Sequence, residues 1–233
     1  MNGPGNGQPA AGSLRAYVSL WSADLLAVGD AVDRIASGAD GLHVDVFDGS
    51  AGSDLLFGPD FVAALRDHTD ALIDVHLLVA DPDRWARRFA AAGADTITVH
   101  LGAGADPRAT LATVRKLGTL VGVAVCCDEP IESVTPYLAA IDRVLVMGTA
   151  IGVKGVDLDP ATPDRIRALV AARADCGSSR TEIVVDGGIR RHTVRTIAAA
   201  GADGVVPGSL VFDDPNPVEA LAWIRSVGAE RFA

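Results

Sequence analysis

The sequence is poor in cysteine, which limits the redox and metal chemistry open to it. Its 233 residues contain three cysteines, Cys126, Cys127 and Cys176. These are too few for a disulfide framework and do not show the C-x-x-C spacing of thiolate sites. Such a pattern is typical of free thiols in a reducing compartment. We therefore expect a cytoplasmic protein without a thiolate metal site.

The sequence also lacks a long apolar run and an excess of basic residues. No apolar run reaches the length of about 18 residues that a transmembrane helix needs. Residues 1–12 are rich in Gly, Asn and Pro, without the basic-then-apolar pattern of a secretory signal. The formal net charge of −10 disfavours a nucleic-acid partner, because phosphates require a basic surface. We therefore expect neither a membrane nor a nucleic acid among its partners.

A short repeat organises the rest of the chain. The string Gly-Ala-Asp recurs at 38–40, 93–95 and 201–203, each time after a helix-like segment and before an apolar run. The intervals of 55 and 108 residues are two and four units of about 27 residues, a usual length for one strand-helix pair of a β/α barrel. A degraded copy, Ala140-Ile141-Asp142, stands near the position where one is missing.

Hydrophobic patterning predicts eight strands alternating with eight helices. The predicted strands are 16–20, 41–47, 72–79, 95–100, 120–126, 143–148, 181–186 and 203–208. The predicted helices are 28–38, 59–67, 83–92, 107–117, 130–139, 161–174, 190–200 and 215–228.

This alternation predicts an α/β protein, a single-domain (β/α)8 TIM barrel. Strict alternation favours a parallel sheet, and eight units favour its closure. The barrel is expected over residues 15–233, after a disordered tail over 1–14. An open doubly wound sheet is the alternative. It is disfavoured because the first strand is not followed by a Gly-x-Gly-x-x-Gly turn.

Imidazoles and carboxylates stand in the apolar strands, where an unpaired polar group is unfavourable. His43 and Asp45 share one face of the second strand, His76 shares a face with Asp74 on the third, and Asp186 ends the seventh. Barrel active sites lie at the carboxyl ends of the strands. One such residue alone could be a structural buried polar group.

Two imidazoles and two carboxylates together form a mixed nitrogen and oxygen donor set. His43, Asp45, His76 and Asp186 are accordingly predicted to bind one divalent metal ion, Zn²⁺, Fe²⁺ or Mn²⁺. The two aspartates could also act as base and acid on a bound substrate.

Glycine-rich turns after the last strands predict a phosphate site. Gly187-Gly188 follows the seventh strand and Gly208-Ser209 follows the eighth. Barrels commonly bind phosphate at these loops through backbone N–H groups. The sixth loop, 148–155, is long and is predicted to act as a lid or a second phosphate contact. Lys154 in that loop is a candidate cation or else a solvated lysine.

Other polar and aromatic residues near the strand ends are less informative. Trp21 follows the first strand and is expected to line the pocket. His100 ends the fourth strand and faces the mouth, where it touches substrate or has a structural role. Arg190, Arg191 and His192 begin a helix and are expected to be exposed.

Four strings in a linked order resemble the ribulose-phosphate 3-epimerase family, and the resemblance covers nearly the whole chain after the tail. The strings are Ser19-Leu20-Trp21-Ser22-Ala23-Asp24, His43-Val44-Asp45-Val46-Phe47-Asp48-Gly49, Asp74-Val75-His76-Leu77-Leu78-Val79 and Val185-Asp186-Gly187-Gly188.

The resemblance implies a metal-dependent barrel enzyme and a role for each matching residue. It gives Asp45 and Asp186 as the proton-transfer residues and His43, Asp45, His76 and Asp186 as the ligands of one catalytic divalent metal. It implies a phosphorylated ketose as substrate and, since family members are often dimers or hexamers, a homo-oligomer. The substrate-binding residues that follow are Ser19, His76, Met147, Gly152, Lys154, Gly155, Gly187, Gly188, Gly208 and Ser209.

The sequence departs from the family pattern at the pocket. The family usually has Met where Phe47 and Leu78 stand, while Met147 matches a third pocket methionine. Its sixth loop usually reads Asn-Pro-Gly-Phe-Gly-Gly-Gln, and here residues 150–156 read Ala-Ile-Gly-Val-Lys-Gly-Val. The family loop folds over substrate. The departure therefore concerns the identity of the sugar and not the metal chemistry.

Together these features predict an isomerase that inverts carbon 3 of a ketose phosphate. One aspartate removes the proton beside the carbonyl, a metal-stabilised enediolate forms, and the other aspartate returns a proton to the opposite face. The leading substrate pair is D-ribulose 5-phosphate and D-xylulose 5-phosphate, and the alternative is another ketose phosphate such as D-allulose 6-phosphate.

Two other functions are less compatible with the sequence. Related decarboxylases and aldolases carry Asp-x-Lys-x-x-Asp at a strand end, whereas Phe47 and Ser50 stand two and five residues after Asp45. A non-catalytic sugar-phosphate-binding barrel would be expected to have lost a metal ligand, and all four are present.

Overall fold

The chain folds as a (β/α)8 TIM barrel. The computed structural model describes residues 13–52, 54–104, 106–178 and 180–229. The strands within these residues are β1 (Arg15–Ser19), β2 (Gly41–Asp48), β3 (Leu55–Leu56), β4 (Ile73–Leu78), β5 (Thr96–His100), β6 (Leu120–Val125), β7 (Arg143–Met147), β8 (Glu182–Asp186) and β9 (Gly204–Val206).

Closure of the sheet decides between the two predicted architectures. The parallel strands follow one another as β1, β2, β4, β5, β6, β7, β8 and β9, and β9 pairs again with β1. The closed ring confirms the barrel and excludes the open doubly wound sheet. The two-residue β3 pairs antiparallel with the end of β2. It was not predicted, because a strand this short carries no detectable period.

Helices follow the strands and cover the outside of the barrel. In the described residues they are α1 (Val28–Ile35), α2 (Pro59–His68), α3 (Pro82–Ala91), α4 (Pro107–Lys116), α5 (Thr162–Asp175), α6 (Arg191–Ala200), α7 (Ser209–Phe212) and α8 (Pro217–Ala229). The four-residue α7 was not predicted.

The predicted helix over 130–139 is wrong. Two short 3-10 helices, Ile131–Ser133 and Thr135–Ala140, occupy this segment between β6 and β7. Pro136 would stand inside the predicted helix, where it has no N–H to donate and its ring clashes with the preceding turn. The residue before a proline also disfavours the α conformation. The proline therefore overrides the apolar pattern of this segment.

Strand residues alternate between two apolar layers. Leu42, Val44 and Val46 of β2 belong to the layer between the barrel and its helices, as predicted. A smaller cluster fills the barrel interior and contains Tyr17, Ala124, Leu145, Met147, Val184 and Val206. The inward-facing polar side chains of β2, β4 and β8 are not part of this cluster, and they form the candidate site.

The repeated aspartate has one structural role in all four copies. Asp95 Oδ2 accepts a hydrogen bond from the backbone N–H of Ile73 at 2.8 Å and also pairs with Arg66 on α2. Each copy thereby joins its own strand to the preceding barrel strand and to a helix arginine. The degraded copy behaves like the others. The remaining contacts are Asp40 with Ala16 and Arg225, Asp142 with Val121 and Arg115, and Asp203 with Ile183 and Arg173.

The core begins one residue earlier in the chain than the predicted barrel. Leu14, which the sequence placed in the tail, is only 1% exposed and belongs to the core. Residues 1–12 of the predicted tail lie outside the described residues. None of the helices in the described part of the chain combines the length and apolar character needed to span a bilayer.

Candidate active site

Strand register brings the predicted ligands to one level of the barrel. Across β2 and β4, His43 lies opposite Asp74 and Asp45 lies opposite His76. Cross-strand partners point to the same face of a sheet, so all four side chains enter the interior. Asp186 enters from β8, which the strands β1 and β9 separate from β2. Residues far apart in the chain therefore meet at the carboxyl end of the barrel.

The ligand atoms converge closely enough to hold one ion. Asp45 Oδ1 lies 3.2 Å from both His43 Nε2 and His76 Nδ1. Asp186 Oδ2 lies 3.9 Å from the same two nitrogens. One ligand atom from each of the four residues falls within 4.8 Å of all the others. Two imidazole nitrogens and two carboxylate oxygens are donors that Zn²⁺, Fe²⁺ and Mn²⁺ accept, so the residues present fit a divalent metal.

A buried ion pair between Asp74 and Arg143 orients the ring of His43. His43 Nδ1 lies 2.8 Å from Asp74 Oδ2, and Arg143 Nη1 lies 2.7 Å from the same oxygen. Arg143 Nη2 also donates to Glu182 Oε2 at 2.8 Å, and the guanidinium lies over the Tyr17 ring at 4.0 Å. A carboxylate on the second ring nitrogen holds an imidazole in one orientation. Asp74 therefore directs His43 Nε2 into the site.

The two aspartates differ in their affinity for protons. Burial alone would raise the pKa of Asp45, but the charge of His43 and hydrogen bonds from His43 and His76 bring it below its ordinary value. Burial, followed by the charge of Asp45, raises the pKa of Asp186 to about 6. Divergent pKa values in a pair of carboxylates are typical of acid-base sites. Asp186 therefore takes up a proton more readily than Asp45 does.

The opposite side of His76 contacts His100. The Nε2 atoms of the two rings lie 2.9 Å apart, and the rings meet edge to edge with centroids 5.1 Å apart and planes inclined by 27°. Burial, together with the nearby His76, lowers the pKa of His100 to about 3. Cys126 Sγ lies 3.5 Å from His100 Nδ1. Of the two roles left open for His100, the structure favours the structural one, because His100 contacts His76 and does not line the cavity.

A cavity of about 350 Å³ opens above the carboxylates. Trp21 and Phe47 line it, with ring centroids 5.3 Å apart. Of the metal candidates, Asp45, His76 and Asp186 also line it, while His43 does not. Every residue predicted to bind substrate borders this cavity, namely Ser19, His76, Met147, Gly152, Lys154, Gly155, Gly187, Gly188, Gly208 and Ser209.

Within this cavity, Ser19 contacts a metal candidate and Lys154 contacts Trp21. Ser19 Oγ donates to Asp45 Oδ2 at 3.2 Å. Lys154 Nζ donates to the Trp21 carbonyl oxygen at 2.7 Å and lies 4.0 Å from the centre of the Trp21 ring. The charge of Asp45 also acts on this ammonium group. Lys154 therefore fastens the sixth loop to the loop after β1.

Arg190 is a charged cavity residue that the sequence interpretation missed. It was expected to be exposed, but it is partly buried and lines the cavity. Its Nη1 donates to Ser209 Oγ at 3.2 Å and its Nη2 donates to the Val156 carbonyl oxygen at 3.4 Å. Arg191 and His192 are exposed, as predicted. The position of Arg190 directly after the Asp-Gly-Gly-Ile string, at the start of α6, is the sequence feature that could have indicated a cavity residue.

Backbone conformation explains the two glycines after β8. Gly187 and Gly188 have φ values of +94° and +68°, which favour glycine. A Cβ on Gly188 would lie 2.5 Å from the Leu158 backbone. The turn therefore leads directly from Asp186 to α6, with the sixth loop packed against it.

Comparisons with known proteins identify the family of this chain. The model of the Ribulose-phosphate 3 epimerase family matches residues 16–212. The ribulose-phosphate 3-epimerase of Rhodobacter capsulatus is 39% identical over 222 residues, which cover 95% of this chain and 96% of that protein. The ribulose-phosphate 3-epimerase of a Synechocystis species is 35% identical over 213 residues, covering 89% of this chain and 91% of that protein.

A more distant likeness concerns the fold alone. The crystal structure of orotidine 5'-phosphate decarboxylase from Pyrococcus horikoshii matches 92% of this chain and 99% of its own, with a TM-score of 0.67 and 20% identity. It is similar in the arrangement of the barrel.

Proposed function

Because this chain belongs to the ribulose-phosphate 3-epimerase family, it is an isomerase that epimerises a ketose phosphate, and we propose that it interconverts D-ribulose 5-phosphate and D-xylulose 5-phosphate. The observation that carries the proposal is the meeting of Asp45 and Asp186 with two imidazoles at the base of the cavity. D-Allulose 6-phosphate is the alternative substrate, because the sixth loop differs from the family pattern.

The proposed reaction is a proton exchange at carbon 3 between two carboxylates. A divalent ion, Zn²⁺, Fe²⁺ or Mn²⁺, held by His43, Asp45, His76 and Asp186 would polarise the ketose carbonyl and stabilise the enediolate. Asp45 and Asp186 reach the cavity from different strands. One removes the carbon 3 proton and the other returns a proton to the opposite face. The roles exchange when the reaction runs in reverse.

The same geometry gives Ser19 and Asp74 supporting roles. The hydrogen bond from Ser19 Oγ to Asp45 Oδ2 holds that carboxylate in place at the cavity wall. Asp74 holds His43 in the orientation that presents Nε2 to the site. Neither residue needs to exchange a proton with the substrate.

The phosphate group is proposed to bind at the other end of the cavity. Gly187 and Gly188 lead into the N-terminus of α6, whose free N–H groups and dipole favour an anion. Gly208 and Ser209 border the same region, and the Arg190 guanidinium reaches Ser209 Oγ. Arg190 therefore joins the predicted phosphate residues as their side-chain cation, while Lys154 faces Trp21.

The sixth loop is proposed to cover the sugar. Gly152, Lys154 and Gly155 line the cavity, and the Lys154 contact with Trp21 ties the loop to the far wall. Met147, at the end of β7, supplies an apolar surface opposite Asp186 in register.

The quaternary structure and location belong to the proposal as well. We propose a cytoplasmic homo-oligomer. Leu26 and Leu55 are 99% and 79% exposed, and burial against a second copy would remove these apolar surfaces from water.

A panel of ketose phosphates tests the activity directly. In D₂O the cation-loaded protein is expected to epimerise D-ribulose 5-phosphate fastest, with deuterium entering at carbon 3, as followed by NMR. D-Allulose 6-phosphate and non-phosphorylated D-ribulose serve as comparison substrates. Protein treated with a chelator should be inactive, and about one equivalent of divalent ion should restore it. Absence of epimerisation with every ketose phosphate would overturn the proposal, as would full activity without metal.

Arg190→Gln tests the phosphate end of the cavity. Removing a charge-assisted contact, which contributes about 1.5–3 kcal/mol, should raise KM for the ketose phosphate by about 10- to 100-fold. The value of kcat should change little, because the carboxylates are untouched. The matched control is Arg191→Gln. This neighbouring arginine pairs with Asp214 and lies over Trp223, outside the cavity lining. Equal KM values for the two variants would contradict the role of Arg190.

A further inference from the structure

The contact between His76 and His100 restricts which ring nitrogens of the two histidines carry a hydrogen. Two imidazole nitrogens 2.9 Å apart need one hydrogen between them. If His76 Nε2 carries it, the neutral His76 ring presents a lone pair at Nδ1. If His100 Nε2 carries it, the neutral His76 ring has its hydrogen on Nδ1, facing Asp45 Oδ1 at 3.2 Å. The pair therefore has two tautomeric states.

Only one of these states is compatible with a cation at the site. A metal ligand nitrogen must offer a lone pair, and His76 Nδ1 is the atom that faces Asp45 and Asp186. The hydrogen of His76 must then lie on Nε2 and be donated to His100 Nε2. His100 in turn carries its own hydrogen on Nδ1, which faces Cys126 Sγ at 3.5 Å. The position of the hydrogen on His76 is therefore linked to Cys126 through the imidazole rings of His76 and His100.

We propose that His100 is a positioning residue, which accepts the Nε2 hydrogen of His76 and so holds that ring in its cation-binding tautomer, with Cys126 as the acceptor for His100. The inference rests on the proposed function, because the cation site is part of it. The 2.9 Å contact between the two Nε2 atoms also restricts the rotation of the His76 ring. Partners of this kind behind a ligand histidine typically affect metal affinity by about 10- to 100-fold.

A second cation bound by His100 itself is the less compatible interpretation of the same cluster. Ligand atoms of His100, Cys126 and Glu129 do lie within 4.8 Å of one another. However, Glu129 Oε2 already accepts the backbone N–H of Cys126 at 2.8 Å. Burial and the neighbouring carboxylates of Glu129 and Asp128 raise the pKa of the Cys126 thiol to about 12. In the cation-free protein the sulfur is therefore a protonated thiol, and a cation would have to displace that proton.

The test compares two replacements of His100 by their cation affinity. His100→Leu removes the acceptor, and the dissociation constant for Zn²⁺ or Mn²⁺, measured by chelator competition without substrate, should rise about 10- to 100-fold. His100→Gln places an amide oxygen where Nε2 stood, and its dissociation constant should stay within about threefold of the unchanged protein. Thr98→Val is the matched control. It changes an inward residue of the same strand whose buried Oγ1 has no hydrogen-bond partner, and it should bind the cation normally.

A spectroscopic measurement separates positioning from a general structural effect. In cation-loaded protein with ¹⁵N-labelled histidine, His100 should show the Nδ1–H tautomer. Normal affinity in His100→Leu, an Nε2–H tautomer of His100 in the loaded protein, or two ions per chain would each overturn the inference. If the unchanged protein binds no cation, the metal part of the proposed function fails instead, so the two failures are distinguishable.

Discussion

Asp186→Asn is expected to abolish epimerisation, with kcat reduced by about 10²- to 10⁴-fold. The asparagine amide can neither accept nor return the carbon 3 proton, while the side chain keeps its size. At saturating cation, Asp45 remains able to exchange a proton on one face of the substrate. One epimer should therefore still exchange its carbon 3 hydrogen with D₂O without inverting, and the other should exchange only slowly. NMR of each epimer incubated separately in D₂O measures both results.

The reciprocal variant and a surface control make this prediction specific. Asp45→Asn should give the opposite preference between the two epimers. Metal content must be measured in both variants, since each aspartate is also a proposed ligand. Asp164→Asn changes an exposed aspartate of α5 that pairs with Arg167, and should leave kcat within about twofold. Equal exchange of both epimers in either active-site variant would contradict a mechanism that uses one carboxylate for each face.

Arg143→Met is expected to lower the free energy of unfolding by about 3–5 kcal/mol. The guanidinium is 3% exposed and lies between two acids, Asp74 at 2.7 Å and Glu182 at 2.8 Å. Without it, the fully buried Asp74 carboxylate keeps only His43 as a partner, and its Oδ1 already has no hydrogen bond. An uncompensated buried charge is strongly unfavourable. Urea unfolding monitored by circular dichroism measures the loss.

The same substitution at an exposed arginine provides the control. Arg167→Met breaks a surface pair with Asp164, in which both side chains are more than half exposed. Such pairs contribute less than about 1 kcal/mol. Removing the acid as well, in Arg143→Met with Asp74→Leu, should recover part of the loss, because no unpaired charge remains at that position. A similar loss for the two single arginine variants would show that the buried cluster does not stabilise the fold in this way.

The periodicity of the sequence was sufficient to predict the barrel. The strands of the ring were predicted within two residues at each end, because parallel strands buried on both faces appear as short apolar runs between turn residues. The Gly-Ala-Asp repeat indicated the unit length, and the structure shows a common physical role for its aspartates. Where a proline interrupted the apolar pattern, over 130–139, the prediction of a helix failed.

The metal candidates could also be predicted, for a reason that depends on the fold. His43 and Asp45 share a face because side chains alternate along a strand, and the carboxyl ends of barrel strands meet at one rim. Residue type and position in a strand were therefore enough to predict that four residues from three strands lie close together. Their donor types predicted a metal site, the family resemblance gave the two aspartates as the proton-transfer residues, and those roles stay predictions until they are measured.

The sequence by itself determined the barrel, its unit length and the polar residues at the strand ends, because these depend on local periodicity. Only the tertiary structure decided which partners those residues have. It placed Arg190 in the cavity, Lys154 on Trp21, and His100 behind His76. Each of these contacts joins side chains from different strands or loops. Long side chains have many rotamers, and the surrounding residues that select one of them are brought together only by folding.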